Sequence, residues 1–186
     1  MANVKGTGPL AVYEFLKQRF GEPGMQMLRS ALSPEDQKTF DKPILPVTWV
    51  DFGFYMRMIV VADKVLGKGD MKIVEEAARY NMDKNFKGVY KILVSFVTPA
   101  FIIKRANIAW QQWFDSGKML TEVPEPCHAR ATLTGFSNTP PNHEYNLTPS
   151  IDEIIRISGG KNTHTTHVQC VLKGAPACVW EIRWEE

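Results

Sequence analysis

The run His164-Thr165-Thr166-His167-Val168-Gln169-Cys170-Val171-Leu172-Lys173-Gly174-Ala175-Pro176-Ala177-Cys178-Val179-Trp180-Glu181-Ile182-Arg183-Trp184 decides the fold class. Lys173-Gly174-Ala175-Pro176 has the composition of a turn, and the residues on either side of it alternate. Val168, Cys170, Leu172, Cys178, Trp180, Ile182 and Trp184 share one parity, whereas His167, Gln169, Glu181 and Arg183 share the other. Successive side chains of a strand point to opposite faces, so this pattern predicts a β-hairpin over residues 164–172 and 177–184. One face is expected to be core and the other wet.

Working back from the hairpin, Gly159-Gly160 ends a helix that carries Ile151, Ile154, Ile155 and Ile157 and that Thr148-Pro149-Ser150 is expected to open. Residues 137–146, with Pro140-Pro141, read as an exposed loop. Residues 127–136 alternate as a half-buried strand, and residues 119–123 read as a shorter one. The first two-thirds of the chain has helical spacing. Segments are expected over residues 9–20 with a stop at Gly21, 24–32, 34–40, 48–66, 70–85, 87–96 and 98–113. Helices followed by an antiparallel sheet with one helix between its strands define an α+β domain. The whole chain, 1–186, reads as one domain, helical over about residues 9–114 and strand-rich over about 115–186.

The composition narrows the function classes. The chain has 186 residues, of which 44% are hydrophobic and 23% charged, which is globular and not disordered. A formal net charge of +2 argues against a nucleic-acid partner, because such domains carry a strongly basic face. Three cysteines are too few for a secreted disulfide scaffold. Neither a cleavable leader nor an apolar run of about 18 residues is evident, so the expected location is the cytoplasm, with no membrane span. Nucleophile elbow, metalloprotease helix, phosphate-binding loop and dinucleotide fingerprint are all missing, so no catalytic residue is assigned and the chain reads as a non-enzyme.

The segment His167–Cys178 with Trp180 and Trp184 resembles the C-terminal hairpin of the 4-vinyl reductase-type small-molecule-binding domain. Leu66-Gly67-Lys68-Gly69-Asp70, Thr98-Pro99, Trp110, Phe114-Asp115-Ser116-Gly117 and Gly159-Gly160 extend the likeness. Over roughly residues 9–184 the chain is similar to an uncharacterised family of myxobacteria and other deltaproteobacteria. The resemblance implies a fold shared with haem-based nitric-oxide sensors, TRAPP vesicle-transport subunits and the sensory domains of phenol-responsive regulators. Such relatives bind or sense small molecules, or act as dimeric assembly parts.

In the phenol-responsive relatives the matching hairpin helps to hold a structural zinc through Glu, two residues, Cys, seven residues, Cys. Carried over, those positions are His167, Cys170 and Cys178, and imidazole can replace carboxylate on zinc. A fourth ligand would come from His143, Glu144, His164 or Cys127. Strand parity opposes the set, since Cys170 points inward and His167 outward unless the strand bulges near Val168. The simpler reading is two buried thiols facing each other about Gly174, with a cross-strand disulfide as a third alternative. Haem requires an axial ligand, and His128, His143, His164 and His167 all lie in the C-terminal third. With the porphyrin-clamping Tyr-x-Ser-x-Arg also missing, the sequence argues against haem.

Trp49, Phe52, Tyr55, Met56, Ile59, Trp110 and Trp180 are candidates to line an apolar ligand pocket between helices and sheet. The alternatives for the aromatic segment 49–58 are a central core helix and a dimer interface. The leading expectation is a non-enzymatic ligand-binding or sensory domain that binds an apolar small molecule and signals through a separate protein. A dimeric adaptor or assembly subunit with no small ligand is the alternative.

Overall fold

The structure is a computed structural model describing residues 2–86, 98–136 and 138–186. The expected helix over residues 87–96 lies outside the described residues.

The chain opens with a short strand β1 (Asn3–Lys5), antiparallel to β2 (Trp49–Asp51), in the register Val4 opposite Val50. Three-residue strands are too short to show a period, which is why sequence reading misses both. Between them run α1 (Thr7–Ala31) and α2 (Pro34–Phe40). Gly21 interrupts α1 with φ 64° and ψ −173°, a region that favours glycine, so the helix kinks where the expected stop lies. Ser33 caps α2, its hydroxyl accepting from the Asp36 N–H.

The aromatic helix α3 (Phe52–Leu66) starts four residues later than its expected beginning at Thr48. Asp51, not Thr48, is the cap, its carboxylate accepting from the Gly53 and Phe54 N–H groups. Buried Asp63 in turn accepts from the Met71 and Ile73 N–H groups and so ties α3 to α4 (Lys72–Phe86). Thr98-Pro99 opens a helix as expected, but Lys104 and Arg105 divide it into α5 (Pro99–Ile103) and α6 (Ala106–Trp113).

A four-stranded antiparallel sheet follows, with order β3-β4-β6-β5 from β3 (Lys118–Glu125), β4 (His128–Thr134), β5 (Lys161–Gln169) and β6 (Cys178–Glu185). The crossing helix α7 (Glu144–Ile157) begins earlier than the Thr148 cap expected for it. Its cap is His143, and Pro149 sits inside. The expected exposed loop therefore ends in a fully buried histidine.

The hairpin departs from its expected parity on one strand only. Cys178, Trp180, Ile182 and Trp184 of β6 are buried as predicted. On β5 the register shifts between His167 and Gln169, with His167 opposite Trp180 and Gln169 opposite Val179. That bulge turns Val168 outward, at 48% exposure, and leaves His167 on the core side. Leu172, also expected inside, is 53% exposed in a 3-10 turn over Val171–Lys173 that Gly174 closes at φ 86°.

Two groups of buried side chains make up the interior. One joins α1 to α4 around Phe52, Phe54, Tyr55, Met58 and Ile59; the other joins α5, α6 and α7 to the sheet around Trp110, Leu133, Ile155 and Trp180. Phe114 and Phe136 pack against both, their rings 5.4 Å apart and edge-on. The α+β architecture is the one the sequence predicts.

Candidate functional site

Two features lie where helices meet the sheet. The first is an apolar cavity of about 250 Å³. Its walls come from Met82 and Phe86 of α4, Trp110 of α6, Leu147, Ile151 and Ile155 of α7, and Met119, Ala131 and Ile182 of the sheet. The amphipathic spacing of α7 aims its isoleucines at the sheet, where the small side chain of Ala131 on β4 shares the cavity wall with them.

The polar groups at this cavity are largely committed to one another. Thr121 donates its hydroxyl to the Ile103 carbonyl, Ser150 to the Asn146 carbonyl, and the Asn146 amide donates to the Tyr55 oxygen at 3.3 Å. Burial pushes the Tyr55 phenol well above its ordinary pKa, so it is neutral at any physiological pH.

Of the seven residues nominated as pocket lining, Tyr55 and Trp110 border this cavity. Phe52, Met56 and Ile59 are packed into the helical core. Trp180 is buried in the second core, its indole N–H donating to the Thr148 hydroxyl at 2.9 Å. Trp49 is a surface residue, 44% exposed, with the Lys5 ammonium 4.5 Å from its ring centre. The cavity residues of α4, α5 and α7 escaped notice because periodicity marks a buried face without saying whether the space beyond it is filled.

The second feature is a cluster of His143, His167, Cys170 and Cys178. Each offers one ligand-type atom, and these atoms lie within 4.8 Å of one another. From the four candidates for a fourth member, the fold selects His143, because the cap of α7 abuts the closed end of the hairpin. Glu144 lies 3.9 Å from the far nitrogen of His143, and Cys127 and His164 are outside the cluster.

The tautomer of His143 follows from its neighbours. Its Nδ1 lies 3.0 Å from the Pro140 carbonyl, which can only accept, so Nδ1 carries the proton. The Nε2 lone pair then faces the Cys178 sulfur at 3.4 Å. His167 stacks on Trp180, ring centres 4.5 Å apart and 13° from parallel, and its Nε2 is buried without a hydrogen-bond partner. Burial holds both imidazoles below the usual histidine pKa, and His143 adds to the effect at His167. Burial also pushes the Cys178 thiol up. Two neutral imidazoles and two thiols, one nitrogen oriented by a carbonyl and another left orphaned, are the donor set of a Cys2His2 zinc site.

No protein-family model and no curated relative matches the chain. Solved structures do. An H-NOX protein from S. oneidensis in the Fe(II)NO ligation state superposes with a TM-score of 0.72 at 10% identity, over 98% of this chain and 99% of that one. A point mutant of the T. tengcongensis H-NOX gives 0.67 at 12% identity, over 98% of each chain. An oxygen-binding H-NOX domain related to soluble guanylate cyclases, in its oxygen complex, gives 0.67 at 13% identity, over 98% and 95%. The chain thus has the haem–nitric-oxide-binding fold, as the resemblance implied.

That likeness overturns the argument against haem. Domains of this same fold are described by their Fe(II)NO state and by haem distortion, so the positions of four histidines do not dispose of a porphyrin. Among the described residues at the cavity, Met82, Met119 and Tyr55 are of types that ligate haem iron, whereas histidine and cysteine are not represented.

Proposed function

We propose that this protein is a non-enzymatic sensory domain that binds a small molecule in the helix–sheet cavity and signals through a separate partner protein. The cavity carries the reading. It is lined mainly by carbon, its interior hydroxyl and amide groups are hydrogen-bonded within the fold, and it lies within the fold of gas-binding H-NOX domains. A ligand can act only through different affinities for two arrangements of the walls. The wall suited to express that difference is α7, which lines the cavity along its length.

The same helix begins at His143. We propose that His143, His167, Cys170 and Cys178 hold a structural zinc, which pins the start of α7 to the hairpin. The orphaned His167 Nε2 supports this reading over a pair of buried thiols, since an unpaired buried nitrogen is costly unless something occupies it.

Native mass spectrometry of freshly purified, untagged protein tests both parts together. One equivalent of zinc, lost in the Cys170→Ser and Cys178→Ser variants, is the expected result for the cluster. A metal-free protein that also refuses added zinc rejects it. A retained small molecule, or saturable uptake of an apolar probe, supports the sensory reading. Titration with haemin, followed by its absorption band, shows whether a porphyrin is that molecule. A ligand-free dimer that takes up no probe would point to the adaptor instead.

A further inference from the structure

The rim of the cavity carries a cation with no carboxylate partner among the described residues. Among the described residues that line it, Arg105 is the only charged one. It stands at the break between α5 and α6, exposed, with its guanidinium 3.6 Å from the centre of the Phe101 ring. Phe101 also borders the cavity. No carboxylate among the described residues lies within ion-pair distance of Arg105. Residues 84–114 contain no Asp or Glu, and Asp115 is engaged with the Asn3 backbone and side-chain N–H groups. Lys104 adds a second exposed cation beside it.

From this rim we infer that the cavity's ligand is a linear alkyl carboxylate, its tail in the cavity and its carboxylate on Arg105. The inference rests on the ligand-binding reading above and names the chemical class. The interior demands an apolar tail, because Thr121, Ser150 and Asn146 already have partners and a buried polar group without one is costly. The rim demands an anion. A guanidinium stacked on an aromatic face keeps its edge N–H donors free, and that planar fork matches the two oxygens of a carboxylate. A neutral ligand would use the walls and waste the rim; a cationic one would be repelled there.

The test compares decanoate with 1-decanol by titration calorimetry on the full chain, in the native protein and in Arg105→Gln. Decanoate is expected to bind the native protein about 2–5-fold more tightly than the alcohol. Arg105→Gln is expected to remove that advantage while leaving decanol binding unchanged, which also shows that the variant is folded. Within the carboxylate series, affinity should rise about fourfold per methylene until the cavity is full. Equal affinity for acid and alcohol in both proteins overturns the carboxylate assignment and leaves the cavity as a ligand site. Binding of neither overturns the ligand-binding reading itself.

Discussion

The helical core around Phe52 and the helix–sheet core around Trp180 each bury large aromatic side chains completely, yet the cavity walls and the His–Cys cluster come mainly from the second. In the first, α1, α3 and α4 meet through long buried side chains such as Leu16, Met58 and Ile59. In the second, α6 and α7 lie over strands whose inner face includes Ala129 and Ala131, and Ala131, Ile151 and Ile155 all line the cavity. The lesson concerns packing partners. A helix against helices fills its own gaps, whereas a helix against small strand residues leaves space that a ligand can use.

The sharpest break between the two cores comes from cutting one large side chain in each. Phe52→Ala should cost about 3–5 kcal/mol in urea unfolding, because the helical core has no slack to absorb the loss. Chelation should do nearly as much to the second core. Removing zinc from the native protein is expected to lower stability by about 3–4 kcal/mol at free zinc some hundred- to thousandfold above its dissociation constant. The same treatment should leave Cys178→Ser unmoved. A chelator without effect on the native protein would reduce the cluster to a structural contact.

Trp110→Ala probes the cavity wall. Trp110 already faces empty space on one side, so the expected cost is about 1.5–3 kcal/mol, the transfer term with little added for a new void. The larger change should appear in ligand uptake. A loss equal to that of Phe52→Ala, with and without added ligand, would mean a filled core at both places.

The smallest effect is electrostatic and belongs to the helical core. Buried Asp36 receives two hydrogen bonds from Arg57, at 2.8 and 3.0 Å, which hold its carboxyl below the usual aspartate range. A depressed pKa means that the unfolded chain takes up the proton first. The stabilisation is therefore complete above the unfolded value near 4 and is lost as pH falls through the folded one. Asp36→Asn should cost about 1 kcal/mol at pH 7, since Arg57 is half exposed, and should flatten the acid limb of the stability curve. An unchanged acid limb would assign that limb to other carboxylates, such as Glu181 beside His128 and Arg130.

Much of this is legible along the chain. The kink at Gly21, the caps at Ser33 and Thr98 and the burial of β6 follow from local rules, because caps, glycine turns and alternation act over a few residues. Three of the four cluster members stand at hairpin positions nominated in advance, and the condition set for their convergence, a bulge near Val168, is met by the register shift at His167.

What the sequence could not decide is what depends on distance through space. His143 joins the cluster from a segment that reads as exposed loop, because α7 starts earlier than its Thr-Pro-Ser signal and carries its cap into the hairpin's closed end. Trp49 reads as a pocket aromatic and lies at the surface, since it opens the three-residue strand that pairs with β1 and sits opposite Lys5, whose ammonium lies over its ring. Arg105 gives no signal in the sequence at all. Its place at the mouth of a cavity exists only once α4, α6, α7 and the sheet are assembled. Local periodicity marks the buried face of a regular element; only packing determines where that regularity breaks, what the face meets, and whether anything is left between.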